Sequence, residues 1–183
     1  MDGEVNKYRK YSTLETGEPY GCCIFDGCDF SETDFADAAF EDCSFFACNF
    51  ANAKLTCRMS GCHFHDCKMS GADFSESSPF SGEFDFQDCD LCFAIFGKVG
   101  MRRSRFTRCR LHEAVFYDAD ISECVFDESD LTGAGFQGAD LTMADLSRAK
   151  NFSIAPGSCL LKKTVFSEYN LKGLVDQLNI VIV

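Results

Sequence analysis

The chain has 183 residues and a formal net charge of −12, with 46% apolar and 25% charged residues, 13 Cys, 20 Phe and no Trp. This composition can bury a core, which argues against intrinsic disorder, and no run of about 18 apolar residues predicts a membrane span. The N-terminal sequence lacks the apolar segment of a signal peptide, which predicts a cytoplasmic protein, and an odd number of Cys is not typical of a disulfide framework there.

Residues 1–20 are polar and lack the regular pattern that begins after them. From Phe25 onward, a large apolar residue recurs at every fifth position in three blocks, which end at Leu55, Phe74 and Leu146. These blocks contain 24 inward candidates, all Phe, Leu, Met or Ile, and the residue two positions earlier is Cys in ten units and Ala in nine. A period of five fits neither a helix nor a strand, so the chain is predicted to bend at a fixed interval.

Four five-residue units are expected to form one square coil, and the coils are expected to stack at about 4.8 Å. Each fifth residue then points inward, and the small residue two positions earlier lies near a corner, where Cys is expected as a small apolar residue with no hydrogen bond to satisfy. After residue 86, Phe alternates with aliphatic residues, which fits a repeat of 10 or of 20. Two opposite columns are expected, one of Phe86, Phe106 and Phe126 and one of Phe96, Phe116 and Phe136.

Several units combine a small residue, Asp and an apolar residue in the same order. Examples are Ala72-Asp73-Phe74-Ser75, Ala119-Asp120-Ile121-Ser122 and Ala139-Asp140-Leu141-Thr142. These units resemble the A(D/N)LXX signature of pentapeptide-repeat proteins, and the resemblance covers about residues 21–152. It implies an all-β fold, a right-handed quadrilateral parallel β-helix. The polar residues 1–20 are then predicted to cap its first coil, because stacked coils have open edges.

The spacing between Phe74 and Phe86 is two residues longer than two units require. Its turn-rich composition predicts a loop over residues 75–85, and loops on rigid scaffolds often carry binding residues. A tolerated insertion is the alternative. The candidate partner-binding residues are Ser78, Pro79, Phe80, Ser81 and Glu83.

The sequence contains no Gly-rich phosphate loop, HExxH motif or nucleophile elbow, so no enzyme and no cofactor are predicted. The histidines, His63, His65 and His112, are expected to lie on the solvated surface. Cys57, Cys62 and Cys67 are five residues apart, unlike the CxxC spacing typical of zinc sites, so no metal is predicted either.

Charge is unevenly distributed along the chain. Residues 1–92 contain 6 Lys/Arg and 18 Asp/Glu, residues 93–110 contain 6 and none, and residues 111–150 contain 2 and 9. A rod covered with carboxylates has a field like that of DNA, which would attract a DNA-binding protein and repel nucleic acid. The candidate acidic surface consists of Asp29, Asp34, Asp73, Asp90, Asp118, Asp120, Glu123, Asp130 and Asp140.

Two alternatives remain open for these charges. Asp before the inward residue belongs to the repeat signature whatever the protein does, and an acidic surface also favours solubility. The six basic residues between positions 93 and 110, which we call the basic girdle, either neutralise acidic residues on neighbouring coils or contact an acidic patch on a partner. Its residues are Lys98, Arg102, Arg103, Arg105, Arg108 and Arg110.

The repeat pattern ends after Ala149, and residues 153–183 are predicted to form a C-terminal cap. Ser167 is a candidate N-cap for a short α-helix, and the last five residues read as a strand. The apolar residues of this segment either only cover the last coil or also pair with a second copy of the chain. The candidate dimer interface is Leu171, Leu174, Val175, Leu178, Ile180 and Ile182.

This ending is similar to that of the quinolone-resistance (Qnr) and topoisomerase-poison immunity branch of pentapeptide-repeat proteins. The segments that carry the resemblance are Ile154-Ala155-Pro156, residues 162–167 and residues 178–183. It implies a tail-to-tail dimer with an acidic, DNA-like surface that binds DNA gyrase or topoisomerase IV and protects it from quinolones or peptide toxins. The alternative is a structural scaffold or protein-interaction module with no topoisomerase role.

Overall fold

The structure is a computed structural model that describes residues 10–11, 19–36, 38–75, 83–178 and 180. The chain winds into a right-handed parallel β-helix with four faces, which confirms the predicted fold. We number the faces 1 to 4 by the inward residues of the first complete coil, which are Phe25, Phe30, Phe35 and Phe40.

The strands are two or three residues long because the chain turns a corner at every fifth residue. They are β1 (Lys10–Tyr11), β2 (Tyr20–Gly21), β3 (Ile24–Asp26), β4 (Ala39–Glu41), β5 (Ser44–Phe46), β6 (Arg58–Ser60), β7 (His63–His65), β8 (Asp85–Gln87), β9 (Arg105–Thr107) and β10 (Val125–Asp127). Face 1 is a seven-stranded sheet in the order β1-β3-β5-β7-β8-β9-β10, and β2, β4 and β6 form a smaller sheet on face 4. Single parallel bridges, such as Asp90 with Arg110, connect the coils elsewhere.

The strand register shows that four units complete one coil. Phe25 pairs with Phe45, and Phe86 pairs with Phe106, each the fourth inward position along the chain from its partner. The coil that pairs Phe45 with Phe64 is one residue shorter than these, whereas the coil that pairs Phe64 with Phe86 is two residues longer. The shortened and lengthened coils therefore keep the inward residues in register.

All 24 inward candidates are buried, and none is more than 4% exposed. On face 1, Phe106 stacks between Phe86 and Phe126, with ring centroids 5.0 and 4.9 Å away. On face 3, Phe116 stacks on Phe96 at 4.9 Å with an interplanar angle of 7°. The two predicted Phe columns are confirmed, and the core is a continuous stack of side chains along the rod.

The corner cysteines are buried as predicted, but they also form hydrogen bonds. Cys109 Sγ donates to the carbonyl oxygen of Phe86, one coil earlier, at 3.3 Å. Ser129 occupies the equivalent position one coil later, where its hydroxyl donates to Phe106 O and accepts from the Cys109 N–H, both at 2.9 Å. The expectation that these positions have no hydrogen bond to satisfy was wrong. A thiol or hydroxyl at this position can reach a backbone carbonyl of the preceding coil and the carbonyl two residues earlier in its own coil.

Burial raises the pKa of the Cys43 thiol to about 12, so the protonated form that donates to Tyr20 O persists. All 13 cysteines are free. The ten corner cysteines pack as small residues, and nine of them also donate to backbone carbonyls.

Most of the described corners have a residue with a left-handed backbone two positions after the inward residue. Examples are Asp42 at φ 52°, Phe93 at φ 60° and Gly138 at φ 74°. This conformation bends the chain from one face of the coil to the next, and it favours Gly and Asn. Its recurrence explains why the strands end after three residues.

The C-terminal segment differs from the predicted α-helix. It forms two 3-10 helices, Leu171–Leu174 and Asp176–Leu178. Ser167 is not the N-cap, since Asn170 precedes the first helix and its Nδ2 donates to Leu146 O at 2.8 Å. Gly173 accepts a hydrogen bond from Ile154 N–H at 2.8 Å, and this glycine both weakens an α-helix and ties the segment to the last coil.

Two further predictions concern the N-terminal cap and the absence of a membrane span. Most of the predicted N-terminal cap, residues 1–20, lies outside the described residues, although Lys10–Tyr11 pairs with β3 as an additional strand of face 1. No helix within the described ranges combines the length and apolar character needed to cross a membrane.

Candidate protein-binding surfaces

The structure distributes the nine candidate acidic residues over three faces of the rod. They belong to face 2 (Asp29, Asp90, Asp130), to face 3 and its corner (Asp34, Asp73, Asp118) and to face 4 and its corner (Asp120, Glu123, Asp140). Along face 2 the bridged column reads Asp29, Asn49, Lys68, Asp90, Arg110, Asp130 and Lys150. Acidic and basic side chains therefore alternate there instead of forming one acidic strip.

Most of these aspartates also shape the turns. Asp140 Oδ1 accepts the Thr142 N–H at 2.8 Å, and Asp120 Oδ1 accepts the Ser122 N–H at 3.2 Å. Such a bond to the backbone two residues ahead stabilises a turn. Seven of the nine residues accept this bond, namely Asp29, Asp34, Asp73, Asp90, Asp120, Asp130 and Asp140. The fold itself thus uses the Asp of the repeat signature.

Four residues of the basic girdle form ion pairs with carboxylates on neighbouring coils. Arg108 binds both carboxylate oxygens of Asp88, at 2.7 and 2.6 Å. This hydrogen bonding lowers the pKa of Asp88. Arg102, Arg103 and Arg110 also pair, the first two with Glu123 at 2.7 and 2.9 Å and the third with Asp90 at 3.4 Å.

Further pairs lie in the last coils. Arg148 contacts both Asp127, at 3.0 Å, and Glu128. His112 Nε2 lies 3.0 Å from Asp130 Oδ2. Burial opposes ionisation of Asp130, but hydrogen bonds from Thr132 and Asn151 outweigh it and lower the pKa of that carboxyl. In the second half of the rod, residues 83–150, arginine ion pairs therefore neutralise Asp88, Asp90, Glu123, Asp127 and Glu128.

The first half of the rod, residues 19–75, has exposed carboxylates without basic partners. Glu32, Glu41 and Asp42 make no side-chain hydrogen bond or ion pair with the described residues. Sequence reasoning did not include these three among the candidate acidic residues, and none of them directly precedes an inward residue, the position that Asp holds in the repeat signature. Lys54, Arg58 and Lys68 in this half likewise form no ion pair within the described ranges.

The predicted loop can be placed only at its end. Ser78, Pro79, Phe80 and Ser81 lie outside the described residues. Glu83 is exposed and lies 3.8 Å from Arg103, which extends the girdle pairs toward the loop.

The candidate dimer residues divide into two groups. Leu174 packs against the core of the last coil and Val175 is half-buried, whereas Leu171, Leu178 and Ile180 are exposed by 47%, 63% and 57%. Ile182 lies outside the described residues. We call Leu160, Val165, Tyr169, Leu171 and Leu178 the C-terminal apolar surface, because all five are exposed at that end of the rod.

Sequence reasoning missed three members of this surface. Leu160 and Val165 bridge to Asp140 and Asp145 of the preceding coil, at the outward position that Asp usually holds. An apolar residue at that position was the available signal. Tyr169, which is 90% exposed, belongs to no repeat unit and gave none.

Comparison with known proteins identifies the same repeat. The sequence matches the family model for pentapeptide repeats, in eight copies, over residues 23–56, 57–78, 85–122 and 109–148. No curated protein matches the chain.

One solved structure shares the fold over nearly the whole chain, and two others are less similar. A trypsin-treated variant of QnrB1, described as a plasmid-mediated fluoroquinolone resistance protein, is 23% identical, with a TM-score of 0.52 over 96% of this chain and 93% of that one. Full-length QnrB1 is 22% identical, with a TM-score of 0.43 and 95% coverage of both chains. HetL, a pentapeptide-repeat protein involved in heterocyst differentiation regulation in the cyanobacterium Nostoc, is 16% identical, with a TM-score of 0.36 over 84% of this chain and 80% of that one.

Proposed function

The chain belongs to the pentapeptide-repeat family, and we propose that it is a non-enzymatic cytoplasmic protein that binds a type II topoisomerase, DNA gyrase or topoisomerase IV. In this proposal it protects the enzyme from quinolones or peptide toxins. The observation that carries the proposal is the end-to-end structural similarity to QnrB1, which extends through the coils into the C-terminal segment. QnrB1 is described as a fluoroquinolone resistance protein, and the proposed role follows that description.

The charge of the rod supports binding to a topoisomerase surface that normally holds DNA, which we call the DNA-like contact. A topoisomerase surface that holds DNA must attract phosphates, and a rigid rod with a net charge of −12 presents a comparable field. The girdle pairs neutralise Asp88, Asp90 and Glu123 in the second half. We therefore place the contact on the first coils, where Glu32, Glu41 and Asp42 have no basic partner among the described residues.

A homodimer through the C-terminal segment completes the proposal. The C-terminal apolar surface groups five exposed apolar side chains at one end of the rod, and exposed apolar patches mark association surfaces. A two-fold axis through this surface would bury the same patch of both copies and leave both acidic halves free.

A second candidate function is a protein-interaction scaffold with no topoisomerase role. The observation that favours it is the structural use of Asp, since seven of the nine candidate acidic residues stabilise turns. An acidic surface would then arise from the repeat and serve solubility.

The central experiment is gyrase supercoiling in the presence of ciprofloxacin with increasing purified protein, together with binding to gyrase subunits with and without competing DNA. The proposal expects rescue or inhibition of supercoiling and competition with DNA. Neither effect at micromolar protein would contradict it, and capture of another partner by a lysate pull-down would favour the scaffold.

Paired variants locate the contact. Glu41→Gln with Asp42→Asn removes two unpartnered carboxylates from the first half, and Glu113→Gln with Asp118→Asn removes the same charge from the second half. We expect the first pair to weaken gyrase binding more than the second. Equal effects would indicate that only net charge matters, and no effect of either would contradict the DNA-like contact.

The dimer is tested separately by sedimentation. Leu178→Asp places a charge on an exposed residue of the C-terminal apolar surface and is expected to yield a monomer. Phe93→Asp, at a residue that is 60% exposed and distant from that surface, is the matched control. A dimer that survives Leu178→Asp unchanged would argue against this interface.

A further inference from the structure

Strand β7 presents two histidines on the same side of face 1. His63 and His65 flank Phe64, whose side chain is 1% exposed and points into the core. Side chains alternate along a strand, so both imidazoles project outward. Their side chains are 60% and 39% exposed, which leaves both rings accessible to solvent.

Each imidazole turns the same ring nitrogen toward a carboxylate. His65 Nδ1 lies 2.8 Å from Asp66 Oδ2, and His63 Nδ1 lies 3.9 Å from Asp85 Oδ2 on the next coil. At 2.8 Å the Asp66 carboxylate holds the proton on His65 Nδ1 and leaves the lone pair on Nε2, whereas Asp85 at 3.9 Å acts on His63 through its charge. Metal-ligating histidines typically have this arrangement, in which the second ring nitrogen faces a carboxylate.

The environment restricts the rings and favours a cation. The Phe46 ring packs beside His65, with centroids 6.0 Å apart, and limits the positions open to that imidazole. Asp66 and Asp85 add negative charge around the pair. Alternate residues of one strand project to the same side, so the two imidazoles are neighbours on face 1.

We propose that His63 and His65 form a surface site for a divalent transition-metal ion, with the Nε2 atoms of both rings as its protein ligands. Imidazole nitrogens suit zinc, nickel and copper. Within the described ranges, no group of three or more His, Cys, Asp or Glu side chains is arranged to hold a metal, so the site supplies two ligands and water completes the coordination. This inference is independent of the topoisomerase proposal.

Competing ligands elsewhere in the chain are limited. His112, the third and last histidine, faces Asp130 on another face. Ten of the thirteen cysteines are corner residues buried in the coils, and all thirteen are free. The histidine pair is therefore separable from every other nitrogen ligand by substitution.

The test is titration of the full-length protein with Ni²⁺ and, separately, Zn²⁺ by calorimetry under reducing conditions. We expect one ion per chain, with at least a tenfold loss of affinity in His63→Gln and in His65→Gln. His112→Gln is the matched control and is expected to bind as the unsubstituted chain does. Far-UV circular dichroism checks that each variant is folded, which the exposed positions of His63 and His65 allow.

Several outcomes would overturn the proposal. They are the absence of saturable binding by the unsubstituted chain, an equal loss in His112→Gln, and binding that persists in the double variant His63→Gln/His65→Gln. Proton NMR provides a second measurement, since substoichiometric Ni²⁺ should broaden the imidazole signals of His63 and His65 before those of His112. Simultaneous broadening of all three would contradict a defined site.

Discussion

The two halves of the rod, residues 19–75 and 83–150, have the same coil but different cores and surfaces. In the first half Phe occupies all four faces of the opening coil, and neighbouring rings such as Phe25 and Phe30 meet edge to face at 5.8 Å. In the second half Phe occupies faces 1 and 3, with aliphatic residues on faces 2 and 4. One cross-section thus accepts either four aromatic residues or two aromatic and two aliphatic ones.

The surfaces differ more than the cores do. Among the described residues, the Lys and Arg side chains of the first half form no ion pairs, whereas five arginines of the second half do. The fold requires the inward residues and, in many units, an Asp that shapes the turn and a residue with a left-handed backbone at the corner. The remaining outward positions are free to acquire charge for another purpose.

The largest expected effect comes from removing a stacked ring in either half. Phe45→Ala and Phe106→Ala each remove a fully buried ring that stacks on two neighbours of face 1, and each should lower the free energy of unfolding by about 3 to 5 kcal/mol. Urea unfolding measures the loss. Phe46→Ala, at an exposed neighbour, is the control, and a much smaller loss in one half would show that the two halves do not form one continuous core.

The next largest effect is expected from removing a corner hydrogen bond, which should destabilise the second half more than the first. Ser129→Ala leaves the Cys109 N–H and the Phe106 carbonyl without their buried partner and should cost about 1 to 3 kcal/mol. Cys48→Ala in the first half should cost less, because its thiol donates a weaker bond, at 3.6 Å, to Phe25 O. Ser129→Cys should retain most of the stability in urea unfolding, and equal losses for Ser129→Ala and Ser129→Cys would contradict the bridging role.

The period of five determined most of the fold from sequence. It fixed which residues point inward, and within an uninterrupted block it fixed the columns, so Phe86, Phe106 and Phe126 stack as predicted. The pairs Arg108–Asp88 and Arg110–Asp90 each join residues 20 apart in the uninterrupted block that begins at Phe86. The four-unit coil could therefore have predicted both pairs. Pairings across the shortened and lengthened coils could not be predicted, because paired residues there are not 20 positions apart in the sequence.

Other features depended on contacts that a single sequence does not reveal. The apolar spacing of Leu171, Leu174 and Leu178 fits an α-helix, but Asn170 and Gly173 bind the last coil and hold the segment in 3-10 turns. The hydrogen bonds of the cysteines arise from unpaired carbonyls one coil away. Such effects of tertiary structure override local propensity.

A reciprocal exchange between the halves tests the corner conformation. Phe93, at φ 60° and 60% exposed, has the left-handed backbone that Asn52 has in the first half at φ 55°. Because a bulky side chain disfavours this conformation, Phe93→Asn should raise the free energy of unfolding by about 1 kcal/mol, and Asn52→Phe should lower it similarly. Thermal unfolding of both variants checks the sign, and destabilisation by Phe93→Asn would show that the ring packs favourably.

The smallest effect concerns pH. Arginine hydrogen bonds lower the pKa of Asp88 and Glu123 in the second half, so these carboxylates stabilise the folded state above their unfolded pKa values, near 4. That contribution is lost as the pH falls through the folded pKa. Arg108→Gln should therefore reduce the difference in unfolding free energy between pH 7 and pH 3, measured in urea at low salt.

Arg58→Gln in the first half is the control for this prediction. Arg58 is exposed and forms no ion pair with the described residues, so its removal should leave the pH dependence unchanged. An equal change in both variants would attribute the effect to net charge instead of to the girdle pairs.

The shortened coil before Phe64 and the lengthened coil after it show how a repeat protein can change length during evolution. Phe45, Phe64 and Phe86 remain in register although the first of these coils lacks one residue and the second has two extra. The missing residue falls at the corner between Leu55 and Met59, and the two extra residues fall between Phe74 and Asp85. Insertions and deletions at corners can therefore give one coil a new segment while the coils above and below keep their inherited contacts.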